Sequence, residues 1–332
     1  MKNLSFLIVT VSLFCFNLTV FSAKHRPYCI GADVSWVQQQ ENEGLSFKDK
    51  GVKKDVLTIL SDNGFNWIRL RLFVDPKAAN GYSKEGYCDL EHTLAMAKRV
   101  KTAGMKLLLD FHYSDTWADP GKQFTPSAWD RLKGRELDSV IFIYTKDVLT
   151  RFKKEGLLPE MVQIGNEINH GMMWPEGKTD STLVPLSNLL RSAAAAVRTT
   201  NPKTQIMIHL ACGGQNKESV WFLDRILKNG VDFDVVGQSY YPEYHGTIDE
   251  LKYNLTDLAT RYRKPIVVVE YQVLRKEVNE IVLNLPNQMG LGTFIWEATS
   301  PRWGNLFDKE GNTTESMQLY PELSEKFKNR HR

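Results

Sequence analysis

The most restrictive feature of this 332-residue chain is a repeated alternation of short apolar runs with longer amphipathic segments. The apolar runs predict eight strands, at Ile30–Val34, Asn66–Val74, Lys106–Tyr113, Met161–Glu167, Gln205–Ala211, Phe233–Tyr241, Pro265–Tyr271 and Gly292–Glu297. The amphipathic segments predict helices at Lys53–Asn63, Leu90–Ala103, Glu136–Glu155, Leu186–Thr199, Lys217–Asn229, Ile248–Tyr262, Arg275–Leu283 and Met317–Asn329. Eight strands that each precede a helical segment predict an α/β fold, a single (β/α)8 TIM barrel.

Two of the runs favour a parallel sheet. Leu107–Leu109 and Ile266–Val269 are continuously apolar, as is typical of strands that are covered on both faces. An open, doubly wound sheet is the main alternative, but no glycine-rich GxGxxG loop follows the first strand. Because the sequence also has no linker-like stretch, we expect one catalytic domain over residues 23–332.

The first 22 residues have the pattern of a secretory signal peptide. Lys2 is the only charged residue before Lys24, and the segment between them is mostly apolar. Small residues near its end predict cleavage before Ala23, although a retained membrane anchor is an alternative. We therefore expect a secreted or periplasmic protein with no membrane association after cleavage.

Charge and cysteine content exclude several classes of partner. Lys and Arg total 42 against 39 Asp and Glu, a net charge of +3 that is too balanced for a nucleic-acid-binding protein. Cys29, Cys88 and Cys212 remain after signal cleavage, and their spacing matches no zinc motif. One disulfide with a free thiol and three buried thiols are both compatible with this number. We expect a monomer without metal or cofactor.

Polar residues gather where the predicted strands end, and this is the end of a barrel that carries catalysis. They include Asp33, Arg69, Arg71, Asp110, His112, Tyr113, Asn166, Glu167, His209, Ser239, Tyr240, Tyr241, Glu270, Trp296 and Glu297. A barrel with only a structural role would not require an ionisable or aromatic group at nearly every strand end.

Glu167 and Glu270 are the strongest catalytic candidates, since each ends a largely apolar strand. Burial and a neighbouring carboxylate raise the pKa of one such group, which leaves a proton donor beside a nucleophile. Two carboxyls of this kind perform glycoside hydrolysis with retention. The alternative for each glutamate alone is an ion pair with Arg69 or Arg71. His112 and His209 are candidate substrate-binding residues, or else hydrogen-bonded core histidines.

Several segments together resemble glycoside hydrolase family 53, the arabinogalactan endo-β-1,4-galactanases. They are Gly31–Ser35, Arg69–Leu72, Leu109–Asp115, Trp117–Gln123, Gly165–Asn169, Tyr240–Pro242 and Val267–Glu270, and they keep the order of the family. The resemblance implies a retaining, endo-acting hydrolase whose polysaccharide substrate is the β-1,4-galactan of type I arabinogalactan. It implies that Glu167 is the general acid/base, that Glu270 is the nucleophile, and that Asn166 binds the sugar 2-hydroxyl.

The resemblance also implies a set of substrate-binding residues. Arg71, His112, Tyr240 and Trp296 correspond to residues that shape the sugar site at the cleaved bond. Tyr240 would hydrogen-bond Glu270, and Trp296 would stack on a sugar. Asp115 and Trp117 would form a wall of the cleft. Two alternatives are a related retaining glycosidase for another β-linked polysaccharide and a non-catalytic glycan-binding barrel.

The sequence departs from the family after the seventh strand. Relatives often have a long loop there, and several bind calcium in it. Tyr271–Leu291 is short and contains no cluster of Asp and Asn ligands, which calcium requires. We therefore predict no calcium at that place. The following segment, Tyr271-Gln272-Val273, also departs from the family pattern.

Overall fold

A computed structural model describes residues 28–303 and 306–329 of the chain. Eight parallel strands close into a barrel in chain order, and the first pairs with both the second and the eighth. The strands are β1 Cys29–Asp33, β2 Trp67–Leu72, β3 Lys106–Phe111, β4 Met161–Ile164, β5 Gln205–Leu210, β6 Val235–Tyr240, β7 Ile266–Tyr271 and β8 Gly290–Ile295. The predicted (β/α)8 barrel is confirmed.

Helices surround the barrel and follow its strands. They are α1 Val37–Asn42, α2 Val56–Asp62, α3 Leu90–Thr102, α4 Arg135–Lys154, α5 Val184–Thr200, α6 Asn216–Lys228, α7 Pro242–His245, α8 Ile248–Tyr262, α9 Arg275–Leu283 and α10 Leu319–Asn329. The two short helices α1 and α7 were not predicted, because six and four residues are too few to show a helical period. Asp55 accepts a hydrogen bond from Leu57 N, so α2 begins later than predicted.

Short hairpins and 3-10 turns lie in the loops at the barrel ends. Two short hairpins pair Lys48–Asp49 with Val52–Lys53 and Gly171–Met172 with Gly177–Lys178. Single 3-10 turns lie at Ser127–Trp129, Ile168–His170, Pro286–Gln288, Pro301–Trp303 and Glu315–Gln318. They complete the connections above and below the strands.

The barrel interior contains an apolar floor that is separate from the larger core between strands and helices. Every strand contributes to this floor, which consists of Cys29, Trp67, Leu108, Met161, Met207, Val235, Val267, Val269, Leu291 and Phe294. The rings of Trp67 and Phe294 meet edge to face, with centroids 6.1 Å apart. Because the floor fills the N-terminal half of the barrel, inward-facing polar residues above it are excluded from water on that side.

The cysteine alternatives are resolved for the described part of the chain. Cys29, Cys88 and Cys212 are all buried and unpaired, so the described residues contain three buried thiols rather than a disulfide. The predicted signal peptide, residues 1–22, lies outside the described residues. Within those residues, no helix combines the length and apolar character needed to cross a bilayer.

Gly31 tests how tightly the floor is packed against β1. A methyl group at this position would overlap the ring of Phe294. We expect Gly31→Ala to lower the free energy of unfolding by about 1–3 kcal/mol, since an overfilled core must shift its backbone. Gly121→Ala is the control, because its methyl would meet only Asp119 Oδ1, at 3.3 Å. Urea unfolding that shows equal stability for both variants would contradict this packing.

Candidate active site

A buried arginine organises the polar layer above the floor. Arg69 Nη1 lies 2.9 Å from Glu270 Oε1 and 3.2 Å from Asp33 Oδ2. Its Nη2 lies 2.8 Å from Asp110 Oδ2 and donates to Asn166 Oδ1, also at 2.8 Å. The side chain of Arg69 is 1% exposed. One guanidinium therefore joins the ends of strands β1, β2, β3 and β7 with the loop after β4.

An irregularity in β7 turns Glu270 toward this arginine. Val267 and Val269 both belong to the floor, so simple alternation would turn Glu270 outward. The pairing with β6 shifts instead, since Gln238 pairs with Val268 and Ser239 pairs with Glu270. One extra residue on β7 forms a bulge that reverses the direction of the following side chains. Glu270 therefore faces the cavity.

Glu167 follows β4 in a left-handed backbone conformation, with φ of 50°. Gly165, at φ of 95°, begins this sharp turn. Ser239 Oγ donates to Glu167 Oε1 at 2.6 Å, and Oγ also lies 2.8 Å from Nε2 of His209. The Glu167 amide donates to His209 Nδ1 at 3.4 Å. Serine and histidine thus support the carboxyl group from below.

The two glutamates have unlike surroundings. Burial, then the charge of Glu270, raises the pKa of Glu167. Burial also raises the pKa of Glu270, but the Arg69 guanidinium opposes this effect, and Tyr241 donates to Glu270 Oε2 at 3.0 Å. Because Glu270 has a cation and a phenol that stabilise its anion, Glu270 ionises before Glu167. The two carboxyls therefore differ in acidity, and Glu167 keeps its proton to the higher pH.

A second arginine and a third glutamate adjoin this pair. Arg71 Nη1 lies 3.3 Å from Glu297 Oε1, and burial raises the pKa of Glu297 to about 8 despite that contact. The Arg71 guanidinium carbon also lies 5.7 Å, 5.9 Å and 4.1 Å from the ring centroids of Trp36, Tyr82 and Trp117. Four carboxyls, those of Asp33, Asp110, Glu270 and Glu297, contact the two buried guanidiniums, so the site has more acidic groups than cations to balance them.

These groups open into a cavity of about 490 Å³ at the C-terminal end of the barrel. Among the predicted site residues, the lining includes Glu167, Glu270, Arg71, His112, Trp117, Asn166 and Trp296. His112 Nε2 lies 3.1 Å from Asp110 Oδ2, while its Nδ1 accepts from Ala118 N at 3.2 Å. Two contacts therefore fix the orientation of the His112 ring.

Three of the predicted roles are wrong. Tyr240 donates to Gly246 O and packs in the outer core, while the neighbouring Tyr241 bonds Glu270. Alternation along β6 places Ser239 and Tyr241 inside the barrel and Tyr240 outside. Asp115 lies off the cavity lining and anchors loops, since it accepts from Asp75 N and from both Ser127 N and Oγ.

His209 is the third correction. It is fully buried beneath Glu167 and does not line the cavity. Burial lowers its pKa well below the usual value, and the nearby Arg69 charge adds to this effect. A neutral His209 therefore lies beneath the loop of Glu167, outside the cavity lining.

The cavity has further lining residues that were given no catalytic or substrate-binding role from the sequence, although Arg69, Tyr241 and Glu297 were noted there at the strand ends. They are Trp36, Arg69, Ala118, Asp119, Lys122, Tyr241, Glu243, Tyr244, Gln272, Glu297 and Arg302. Two-residue alternation on β6 was a usable signal for Tyr241. No comparable signal marks Trp36 or Arg302, because loop conformations bring these two residues to the cavity. The described residues contain no group of three or more His, Cys, Asp or Glu side chains arranged to hold a metal ion.

Comparison with known sequences gives a consistent family. The model of the family described as Glycosyl hydrolase family 53 matches residues 29–276. A protein of Niallia circulans without an assigned activity is 39% identical over 89% of this chain and 93% of its own length. An Aspergillus niger protein named arabinogalactan endo-beta-1,4-galactanase A is 41% identical over 72% of this chain and 69% of its own.

Solved structures give the same grouping. The GH53 catalytic domain of Ignisphaera aggregans matches with a TM-score of 0.81 and 32% identity, covering 89% of this chain and 95% of that one. A fungal β-1,4-galactanase structure matches with a TM-score of 0.81 and 31% identity, covering 89% and 99%. Xylanase 10B of Thermotoga maritima, at a TM-score of 0.59 and 14% identity over 92% and 97%, shares the fold alone.

Removing Arg69 tests its place at the centre of the site. In Arg69→Met, Asp33, Asp110 and Glu270 lose the guanidinium that they share. We expect the free energy of unfolding at neutral pH to fall by about 3–5 kcal/mol, because buried carboxylates remain without their cation. The control is Arg198→Met, which removes a partly exposed arginine that bridges Asp232 and Asp234, with an expected loss of at most about 1 kcal/mol. Equal losses in urea unfolding would contradict the assignment.

Proposed function

Because the chain belongs to glycosyl hydrolase family 53, we propose that it is a retaining endo-β-1,4-galactanase acting on type I arabinogalactan. One observation carries the proposal: Glu167 and Glu270 face one cavity, and only Glu270 is bound by a guanidinium and a phenol. A retaining glycosidase needs this difference between a proton donor and a nucleophile. The names of the Aspergillus relatives support galactan as the substrate.

The proposed reaction has two steps. Glu270 Oε attacks the anomeric carbon while Glu167 protonates the departing glycosidic oxygen, which forms a covalent glycosyl ester and releases the first product. Glu167, now ionised, then removes a proton from water. That water attacks the ester, and Glu270 leaves as a carboxylate. The configuration at the anomeric carbon is inverted twice and therefore retained.

The surrounding side chains supply orientation. Tyr241 and Arg69 hold both oxygens of Glu270, so the attacking carboxylate is fixed before substrate binds. Asn166 Nδ2 donates to Ala118 O at 2.9 Å, which keeps the amide at the cavity wall, where a sugar 2-hydroxyl would lie. Trp296 and Trp117 contact edge to face, with centroids 6.4 Å apart. Their rings provide a rigid apolar surface for a pyranose.

We also propose that the protein is secreted or periplasmic. The basic and then apolar residues 1–22 support export, and galactan is a polymer outside the cell. A polysaccharide partner needs an open cleft, and the catalytic cavity lies at the barrel surface. N-terminal sequencing of the exported protein would test cleavage before Ala23.

Carboxamide variants test the two catalytic roles. We expect Glu167→Gln and Glu270→Gln to lower kcat on linear β-1,4-galactan by about 10³-fold or more, with native circular dichroism. Glu136→Gln, an exposed glutamate on α4, is the control. Product sizing with galactan, mannan, xylan and cellulose separates this activity from related glycosidases. Near-parental turnover by either carboxamide variant would show that its assignment is wrong, and an enzyme inactive on galactan would contradict the substrate.

Ser239→Ala tests the proposed role of Glu167 as the acid through the pH dependence of kcat/KM. The Ser239 hydrogen bond stabilises ionised Glu167 and so lowers its pKa. Its removal raises that pKa, and protonated Glu167 then persists to higher pH. We expect the alkaline limb of the kcat/KM profile to move up by about one pH unit. Ser219→Ala, a buried serine away from the cavity, is the control. An unchanged or lowered alkaline limb in Ser239→Ala would contradict the assignment of Glu167 as the acid.

A further inference from the structure

Gln163 is a fully buried amide on β4, within the polar layer of the barrel. Its Nε2 has four neighbours within hydrogen-bond distance, which are Asp110 Oδ1 at 2.6 Å, His209 Nδ1 at 3.0 Å, Asn166 Oδ1 at 3.0 Å and Gly165 O at 3.2 Å. Gln163 does not line the catalytic cavity. Any effect that it has on the reaction therefore passes through these neighbours.

The charge of Asp110 fixes which end of the amide lies at this place. Burial alone would raise the pKa of Asp110, but nearby positive charge, first that of Arg69, lowers it below the usual value. An ionised carboxylate only accepts hydrogen bonds, so a rotated amide would bring Gln163 Oε1 against the Asp110 oxygen without a hydrogen between them. Nε2 therefore keeps this position. Gln163 Oε1 then has no hydrogen-bond partner among the described residues, a cost that the contacts of Nε2 outweigh.

The amide of Gln163 determines which nitrogen of His209 carries the proton. His209 is neutral, since burial holds its pKa well below the usual value, so one ring nitrogen is protonated and the other accepts. Gln163 Nε2 and the Glu167 amide both direct a hydrogen at Nδ1. Asn166 Oδ1 lies 3.0 Å from the same nitrogen, but it already accepts from Arg69 at 2.8 Å. Two donors against one occupied acceptor place the proton of His209 on Nε2.

This tautomer sets the direction of the next two hydrogen bonds. His209 Nε2 donates to Ser239 Oγ at 2.8 Å, so the serine hydrogen is available for Glu167 Oε1 at 2.6 Å. Because Oε1 only accepts, the proton of neutral Glu167 lies on Oε2. With the opposite tautomer, Ser239 would donate to His209, and Glu167 would have to donate from Oε1. Its proton would then point at Ser239, which does not line the cavity.

We propose that Gln163 is a positioning residue for acid catalysis, which acts through His209 and Ser239 to keep the proton of Glu167 on Oε2. The inference rests on the proposed function of Glu167 as the general acid, and it assigns a role to a residue that touches no substrate. In serine hydrolases a third group likewise fixes the tautomer of the histidine behind the nucleophile. Here the chain of hydrogen bonds ends on a carboxylic acid, and no proton moves along it.

Nitrogen NMR of enzyme with isotope-labelled histidine measures the tautomer directly, since the chemical shift of a ring nitrogen shows whether it carries a proton. The variant His209→Asn identifies the signals of His209 by their loss. We expect a protonated Nε2 and an unprotonated Nδ1 in the parental enzyme. In Gln163→Met we expect a mixture of tautomers, because Asn166 Oδ1 then competes with the Glu167 amide alone. A parental enzyme with the His209 proton on Nδ1 would overturn the proposal without any variant of Gln163.

Leaving groups of different acidity separate acid catalysis from a general loosening of the site. Phenol needs a proton from Glu167 to depart from an aryl β-1,4-galactobioside, whereas 2,4-dinitrophenol departs without one. We expect Gln163→Met to lower kcat/KM about tenfold for the phenyl galactobioside and less than about twofold for the dinitrophenyl galactobioside. Equal losses with both substrates would overturn the proposal, because they would show a structural role alone.

Gln238→Met is the matched control. Gln238 is a fully buried amide on β6 whose Nε2 donates to Ser219 Oγ at 3.3 Å, and its Oε1 also has no partner in the described part of the chain. It does not line the cavity, and we expect the ratio of the two kcat/KM values to stay parental in this variant. A change in that ratio equal to the change in Gln163→Met would overturn the proposal. A parental enzyme that hydrolyses neither galactan nor the aryl galactobiosides would overturn the proposed function, and this inference with it.

Discussion

The shared ionic contacts of Arg69 are the constraint on which the candidate site depends. The guanidinium is buried above an apolar floor, and it compensates Asp33, Asp110 and Glu270 at once. Each of these carboxylates alone would be strongly disfavoured at that depth. Because the three acids come from three different strands, the same contacts that neutralise charge also fix the barrel mouth. The geometry of Glu270 is therefore a consequence of the fold and does not depend on bound substrate.

The difference in acidity between the two glutamates follows from this arrangement. Glu270 receives the cation and a phenolic hydrogen bond, whereas Glu167 receives only the Ser239 hydroxyl among the side-chain contacts given above. Burial acts on both, but only Glu270 has a partner with a full positive charge. Glu270 is thus ionised at a pH where Glu167 retains its proton, as the two proposed roles require. Serine and histidine beneath Glu167 orient it without removing that proton, since His209 stays neutral.

Much of the architecture could be predicted from residue patterns. Continuous apolar strands and amphipathic helices carry information about burial at every position. The eight-strand barrel and most helix bounds could therefore be predicted from the sequence. Glu167 and Glu270 could be recognised as candidates from the sequence because an acidic residue at the end of an apolar strand is unusual. The resemblance placed Tyr240 beside Glu270, whereas two-residue alternation along β6 would have selected Tyr241.

Other features could not be predicted from the same residue patterns. The β7 bulge has no local signature, and without it Glu270 would be assigned to the outer face. Asp115 was predicted to form a wall of the cleft, but backbone amides of two distant loops donate hydrogen bonds to both of its carboxylate oxygens. Contacts of this kind depend on loop conformation and not on residue type. The position of Trp36 in the cavity lining has the same origin.

The most direct test of the account is to trap the covalent intermediate. A 2-deoxy-2-fluoro-β-galactobioside with a dinitrophenyl leaving group slows both steps, but its leaving group lets the ester accumulate. Peptide mass spectrometry of the inactivated enzyme should place the fluorogalactobiosyl label on Glu270, with none in Glu270→Gln. A label on any other residue, or turnover of galactan to products of inverted configuration, would contradict the assignment of Glu270 as the nucleophile.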